Sequence, residues 1–85
     1  ETEPAPEEEP NQDGIKTLTV NLFPLTGEAT TNVEIIKIYE GVSETVFTGV
    51  MQEGGESLTV NLQGKSGTFF DILYNGKYQS TQSIP

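Results

Sequence analysis

Few residues in this chain could do chemistry, and one short stretch looks at first like a nucleotide-binding motif. Gly64-Lys65-Ser66-Gly67 has the letters that end a phosphate-binding loop. Such a loop also needs an earlier glycine at the motif spacing and a helix directly after the serine. The sequence offers neither, so we interpret this stretch as a hairpin turn.

Carboxylates are abundant but are not arranged for acid–base catalysis. Only Glu34 and Asp71 lie inside apolar segments, and neither has a second carboxylate or a nucleophile beside it in sequence. The two glutamates of EGGE, at 53–56, lack the alternating oxygen ligands of a calcium loop. We therefore predict that Glu34 and Asp71 are outward-facing strand residues, and we expect no catalytic residue, no cofactor site and no metal site.

The composition excludes several further classes of function. Cysteine and histidine are both missing, which removes disulfides, thiol nucleophiles, zinc-finger spacings and imidazole bases. The net charge is −9, from thirteen acidic residues against four lysines, so the chain has no basic stripe for a phosphate backbone. No apolar run approaches the ~18 residues that cross a bilayer. We predict that the protein is not an enzyme, does not bind nucleic acid and does not insert this segment into a membrane.

The chain changes character near residue 15. Residues 1–14 contain six acids and three prolines but no Leu, Ile, Val or Phe. Such a segment has no apolar area whose burial could offset the entropy of ordering the backbone. We therefore predict a disordered Pro/Glu-rich linker over 1–14 and a folded domain over 15–85.

Alternation of apolar and polar residues dominates the predicted domain. The pentapeptide LTVNL occurs at 18–22 and again at 58–62, with the period-two pattern of a strand that has one buried face. The residues around the two copies mostly differ, so we predict two similar strands of one sandwich rather than a repeat array. Strands are predicted at 16–23, 31–40, 44–51, 57–63, 68–74 and 77–84.

Glycine-containing turns separate these segments and indicate an all-β fold. Asn75-Gly76 fits the two positive φ angles of a type I′ turn, which predicts a hairpin between the last two strands. Gly54-Gly55 predicts a similar connection between the third and fourth strands. In the second segment the alternation slips between Ile35 and Ile36, which indicates either a β-bulge or a strand buried on both faces. Six or seven short strands at this spacing are typical of a small antiparallel β-sandwich.

The fifth segment predicts a possible partner surface. Alternation divides it into two faces, with Phe70, Ile72 and Tyr74 on one and Phe69, Asp71 and Leu73 on the other. An unpaired buried carboxylate is costly, so the Asp71 face should be the wet one. Phe69 and Leu73 would then be partly exposed and available to a partner. The alternative is that the loop over 23–25 folds across them.

From about residue 16 to residue 84 the chain resembles a known extracellular module. It is similar to the immunoglobulin-like domain at the C-terminus of some Gram-positive membrane serine/threonine kinases that carry PASTA repeats. The resemblance rests on TLTVNL, on the run GVSETVFTGVMQEGGESLTVNLQGKSGTFFDILYNGKYQS with its GG turn and YNGK hairpin, and on the Pro/Glu tract ahead of them. It implies an immunoglobulin-like sandwich and carries over no catalytic residues.

The resemblance also implies a function. We expect a non-catalytic extracellular accessory module, for binding or spacing, on a cell-surface sensor of cell-wall state. Its partner would be a protein or a cell-wall component, and the domain itself would be monomeric in isolation. The alternative is a structural repeat unit of a Gram-positive pilus or adhesin, since a fold alone does not specify a ligand.

Overall fold

The computed structural model describes residues 14–85, and the predicted linker lies outside the described residues apart from Gly14. Every predicted segment agrees with an observed strand to within two residues at either end. The six strands are β1 (Lys16–Leu22), β2 (Thr30–Tyr39), β3 (Val42–Gln52), β4 (Leu58–Gly64), β5 (Phe69–Tyr74) and β6 (Lys77–Ser83).

The strands form two antiparallel sheets. β1 pairs with β4 in a two-stranded sheet, and the other four strands form a second sheet in the order β3-β2-β5-β6. The prediction of an antiparallel all-β domain is therefore confirmed, with six strands among the described residues.

The two copies of LTVNL are paired with each other. Val20 lies opposite Val60, so that Thr19 faces Asn61 and Asn21 faces Thr59. In both pairs the threonine hydroxyl donates to the asparagine Oδ1, at 2.8 and 2.9 Å. Antiparallel pairing of identical pentapeptides produces the same cross-strand pair twice, which stabilises the register of this small sheet. The copies are two strands of one domain, as predicted.

One hydrophobic core lies between the sheets. Ile35 and Phe70 are its most completely buried large side chains, with 0% and 1% of their surface exposed. Burying a side chain of this size contributes about 1.5–3 kcal/mol. The remaining buried apolar residues are Val20, Leu22, Val33, Met51, Val60, Leu62, Ile72, Tyr74 and Ile84.

Two tight turns of the same kind close the hairpins of the larger sheet. Asn75 and Gly76 have φ angles of 53° and 81°, as the Asn-Gly prediction requires. Glu40 and Gly41, between β2 and β3, also have positive φ angles, of 51° and 79°. Glutamate is not a usual residue for this conformation, so Gly41 predicts a turn at this point but the sequence does not predict its type.

Two connections that were predicted as hairpins instead carry the chain from one sheet to the other. β3 and β4 lie in different sheets, so the prediction of a hairpin at Gly54-Gly55 is wrong. The same is true of the stretch at 64–67, where the Thr68 N–H donates to the Lys65 carbonyl at 3.1 Å and closes a turn between β4 and β5. Turn residues determine a local change of direction, but they do not determine which sheet the next strand joins.

A β-bulge occurs where the alternation slips, but its extra residue lies in the neighbouring strand. Ile35 pairs with Phe47 and Ile36 pairs with Thr45, so Val46 of β3 is left without a partner in β2. The pairing of β2 with β5 continues without a shift. Ile36 therefore lies opposite Asp71, and β2 presents apolar side chains to both faces of its sheet.

The two ends of the described chain lie next to each other. The Lys16 Nζ donates to the carbonyl oxygen of Pro85 at 3.0 Å, and the Ser66 Oγ donates to the same oxygen at 2.9 Å. The first residue of β1 and the last residue of the chain are thus at the same end of the domain.

Candidate functional site

The candidate site is the outer face, by which we mean the side of the four-stranded sheet turned away from the two-stranded sheet. β2 and β5 run through the middle of this sheet and supply the centre of the face. Their side chains there form three consecutive cross-strand pairs, which are Ile38 with Phe69, Ile36 with Asp71, and Glu34 with Leu73.

The centre of the outer face is mainly apolar. Phe69 is 47% exposed, while Ile36, Ile38 and Leu73 are partly buried by their neighbours. The structure thus brings all three predicted surface residues, Phe69, Asp71 and Leu73, onto this face, and it buries Phe70, Ile72 and Tyr74 on the other. Alternation within β5, together with the cost of burying the Asp71 carboxylate, was enough to assign these faces.

Hydroxyl groups surround this apolar centre on both sides. Each centre residue has a hydroxyl-bearing neighbour in one of the two edge strands. These neighbours are Ser43, Thr45 and Thr48 in β3, and Tyr78, Thr81 and Ser83 in β6. A mainly apolar centre within a polar rim is common in protein–protein interfaces, although the two carboxylates of this centre depart from the usual depletion of charge.

Both carboxylates of the outer face are held in place by threonines of the rim. The Thr45 hydroxyl donates to the Glu34 Oε2 at 2.9 Å, and the Thr81 hydroxyl donates to the Asp71 Oδ1 at 2.8 Å. The Tyr78 hydroxyl is 2.8 Å from that of Thr81 and extends the second network. Neither the centre nor the rim contains a lysine. The face therefore presents two oriented acceptors and a negative charge, which suits a lysine or arginine of a partner.

The loop over 23–25 does not cover Phe69. Leu25 packs against the core, and its backbone N–H donates to the Oγ1 of the fully buried Thr31 at 3.0 Å. Phe23 is 63% exposed. The loop is thus fastened on the core side of the domain, whereas Phe69 lies on the outer face.

The other residues considered for chemistry have structural contacts. Glu53 of the EGGE stretch accepts a hydrogen bond from the Gly27 N–H at 2.7 Å, and Lys65 and Ser66 lie in the turn after β4. Residues 14–85 contain no group of three or more acidic side chains placed to hold a metal ion.

Within the same range, no helix is long and apolar enough to cross a membrane.

Two features of the outer face were not predicted from the sequence. The slipped alternation at Ile36 and Ile38 indicates either a bulge or a doubly buried strand, and no pattern in the sequence indicates the hydroxyl rim. The β3 half of the rim is distant from β5 in sequence, and the β6 half belongs to the adjacent strand, but the register of the sheet is needed to place both halves beside the centre. Comparison of the chain with protein-family models, curated proteins and solved structures finds no match.

Proposed function

We propose that this chain is a non-catalytic accessory module, an immunoglobulin-like sandwich that binds a protein partner through its outer face. The module would belong to a sensor kinase at the surface of a Gram-positive cell. The observation that carries the binding role is the apolar row of Phe69, Ile38, Ile36 and Leu73 on a face that no part of the described domain covers. Monomeric proteins rarely expose large apolar patches, and an exposed patch with a polar rim commonly marks an interaction site.

The chemistry of the face favours a protein over a polysaccharide as the partner. A phenylalanine, two isoleucines and a leucine gain most from apolar side chains that displace water from them. Glu34 and Asp71 lie on neighbouring cross-strand pairs, so one basic side chain set among apolar ones can reach both. We therefore expect a partner that presents apolar residues together with a lysine or an arginine.

The position of the chain ends weighs against the role of a structural repeat unit. A domain that adds length to a fibre passes the chain in at one end and out at the other. Here the Lys16 side chain donates to the Pro85 carbonyl, so the chain would enter and leave the domain at the same end. A domain whose two ends are adjacent adds little length to a fibre, so this arrangement suits binding better than spacing.

The sequence resemblance supplies the cellular setting of the proposal. The hairpin at Tyr74-Asn75-Gly76-Lys77 and the Pro/Glu tract at 1–14 are both features of the module that the chain resembles. An acidic, proline-rich tract is typical of a spacer that keeps a domain away from its neighbours. In this setting the outer face would lie outside the cell, free to meet a partner.

Photo-crosslinking in the cell tests the proposal directly. Phe69 is replaced by a photoreactive phenylalanine analogue in the full-length protein, expressed in its own organism, and the cells are irradiated. We expect a discrete protein adduct, because Phe69 would lie inside the interface. The same analogue at Phe23 is the matched control, since Phe23 is also an exposed phenylalanine but follows the other sheet.

A second variant tests the role of charge. Asp71→Lys reverses one carboxylate and should strongly reduce the adduct at position 69, because like charges would then meet across the interface. Adducts of equal strength at positions 69 and 23, or no protein adduct from position 69, would show that the outer face is not a binding site.

A further inference from the structure

The four free strand edges of this domain are not equally protected against pairing with another chain. Natural sheets commonly block their edges with bulges, prolines or lysines. β3 carries the bulge at Val46, and β6 carries both Lys77 and a second register shift opposite Ile72 and Leu73. β1 begins with Lys16, which contacts the chain terminus.

β4 is the unprotected edge among the described strands. Its sequence, LTVNLQG, contains no charge and no proline, and its register with β1 has no shift. One side of β4 is paired with β1, and the other side has no strand beside it. Alternate backbone N–H and C=O groups along that side are therefore available to a further strand.

An uncovered apolar surface lies beside this edge. The two-stranded sheet is too narrow to cover the whole inner face of the four-stranded sheet. Of the eleven residues of β3, only Met51 is buried. Val46 is 39% exposed and Val42 is 67% exposed. We call the uncovered inner side of the β2–β3 hairpin the ledge, and it consists of Lys37, Tyr39, Val42, Glu44 and Val46.

A groove connects the ledge to the edge of β4. Its volume is about 180 Å³, and it is lined by Val46 on one side, by Asn61, Leu62 and Gln63 of β4 on the other, and by Phe70 and Lys37. A second depression of about 290 Å³ continues from Lys37 along the hairpin, lined also by Tyr39, Glu40, Val42 and Glu44. The groove therefore lies directly beside the free backbone groups of β4.

We propose that the free edge of β4 accepts an extended strand from a partner protein. The incoming strand pairs with β4 through its backbone and places alternate side chains on the ledge, so that it acts as a third strand of the smaller sheet. Backbone hydrogen bonds supply affinity in this mode of recognition, and the pockets for alternate side chains supply specificity. The site is separate from the outer face, because it lies on the other side of the larger sheet.

The chemistry of β4 and of the ledge defines the kind of strand that fits. β4 is uncharged, Lys37 lies opposite Glu44 in the sheet, and Glu40 lies in the turn at the far end of the hairpin, so the stretch of the ledge next to β4 has no net charge. The partner strand is therefore neutral, without proline, and apolar at alternate positions. β1 has this composition in its LTVNL segment and already occupies the other edge of β4.

A peptide with the β1 sequence, acetyl-KTLTVNLF-amide, is a suitable probe. It is titrated into the full chain, labelled with ¹⁵N and ¹³C, and followed by NMR. We expect saturable shifts in the amides of Leu58–Gly64 and in the methyl groups of Val46. The same peptide with proline in place of its central valine should not bind, because proline cannot donate to the ladder.

Lysine variants on the two faces of β3 identify the ledge as part of the site. Val46→Lys should weaken peptide binding about tenfold, since it removes an apolar contact from the groove. Val50→Lys is the matched control, because Val50 lies in the same strand on the outer face, and it should leave binding unchanged. If Val46→Lys does not fold, Val42→Lys at the more exposed position takes its place.

Several results would overturn the proposal. These are the absence of saturable shifts at millimolar peptide, shifts confined to β3, β6 or the outer face, and equal binding by Val46→Lys and the unmodified chain. Sedimentation of the chain alone addresses the other possible occupant. A dimer that loses its contacts in Val46→Lys would show that a second copy, rather than a different protein, fills the groove.

Discussion

At the residue scale, two buried threonines differ in what their hydroxyl groups do. Thr31 and Thr68 are both fully buried. The Thr31 Oγ1 accepts the Leu25 N–H at 3.0 Å, whereas the Thr68 Oγ1 has no hydrogen-bond partner among the described residues. A buried polar group without a partner costs about 1–3 kcal/mol.

Substitution of each threonine by valine, which has the same shape, should therefore have opposite effects. We expect Thr68→Val to raise the free energy of unfolding by about 1 kcal/mol, because it removes an unsatisfied hydroxyl. Thr31→Val should lower it by about 1–2 kcal/mol, because the Leu25 N–H loses its acceptor. Urea denaturation of both variants provides the measurement. If Thr68→Val is the more destabilising of the two, the Thr68 hydroxyl has a partner after all.

Asn75 has two structural roles, of which the sequence indicated one. Its φ angle of 53° closes the turn between β5 and β6. The side-chain Oδ1 of Asn75 also accepts the backbone N–H of Asn32 at 2.8 Å. The backbone N–H of Asn75 donates to the backbone carbonyl of Asn32, also at 2.8 Å. The residue therefore joins the turn to the start of β2, a contact between positions too far apart in sequence to be predicted from turn chemistry.

Alanine at position 75 should be more damaging than alanine at position 21. We expect Asn75→Ala to cost about 1–2 kcal/mol of stability, from the strain of positive φ and the lost hydrogen bond. Asn21→Ala removes only an exposed pair with Thr59 and should cost less than about 0.5 kcal/mol. Asn75→Gly separates the two contributions, since glycine relieves the strain but does not restore the bond. Equal denaturation midpoints for the two alanine variants would contradict this account.

At the scale of the element, β5 has a core face and a solvent face of clearly different burial. Phe70 is 1% exposed and Phe69 is 47% exposed. We expect Phe70→Ser to cost about 3–5 kcal/mol and to prevent stable folding, because it leaves a cavity in a small core. Phe69→Ser should change the free energy of unfolding by roughly 0.5 kcal/mol or less. Thermal denaturation followed by circular dichroism compares them, and comparable losses would mean that both faces of β5 are core.

Period and turn chemistry predicted the strands because both are local properties. The alternation of LTVNL and of residues 69–74 determines which side chains share a face, and Asn75-Gly76 determines a hairpin. The pairing of strands is not local. EGGE and GKSG resemble hairpin turns but join different sheets. The slip at Ile35 and Ile36 was correctly located, yet the extra residue is Val46, eleven positions downstream of Ile35.

At the scale of the whole molecule, the sequence predicted part of the outer face. Phe69, Asp71 and Leu73 follow from alternation in one strand together with the cost of burying a carboxylate. Ile36 joins them because β2 lies beside β5, and Thr45 and Thr81 join them because β3 and β6 form the edges. These neighbours come from three other strands, so the register of the whole sheet was needed to identify the complete surface.

The contact between Lys16 and Pro85 also determines how the domain responds when it is pulled. Tension applied through the two ends acts first on the terminal pairs, Lys16 with Gly64 in β1 and Ser83 with Phe69 in β6. Hydrogen bonds between antiparallel strands lie across the strand axis, so they would open one after another, as in a zipper, rather than resist together in shear. Complete unfolding would give an extended chain of roughly 230 Å from about seventy residues.

Optical-trap measurements with two pairs of handles test this response. Handles at positions 16 and 85 should give a low rupture force with sequential opening. Handles at positions 16 and 56 grip β1 and β4 at opposite ends of the same ladder, so they should load it in shear and give a higher force. Equal forces in the two geometries would contradict the zipper response. A domain that unfolds at low force would open first under tension and would lengthen the chain that carries it.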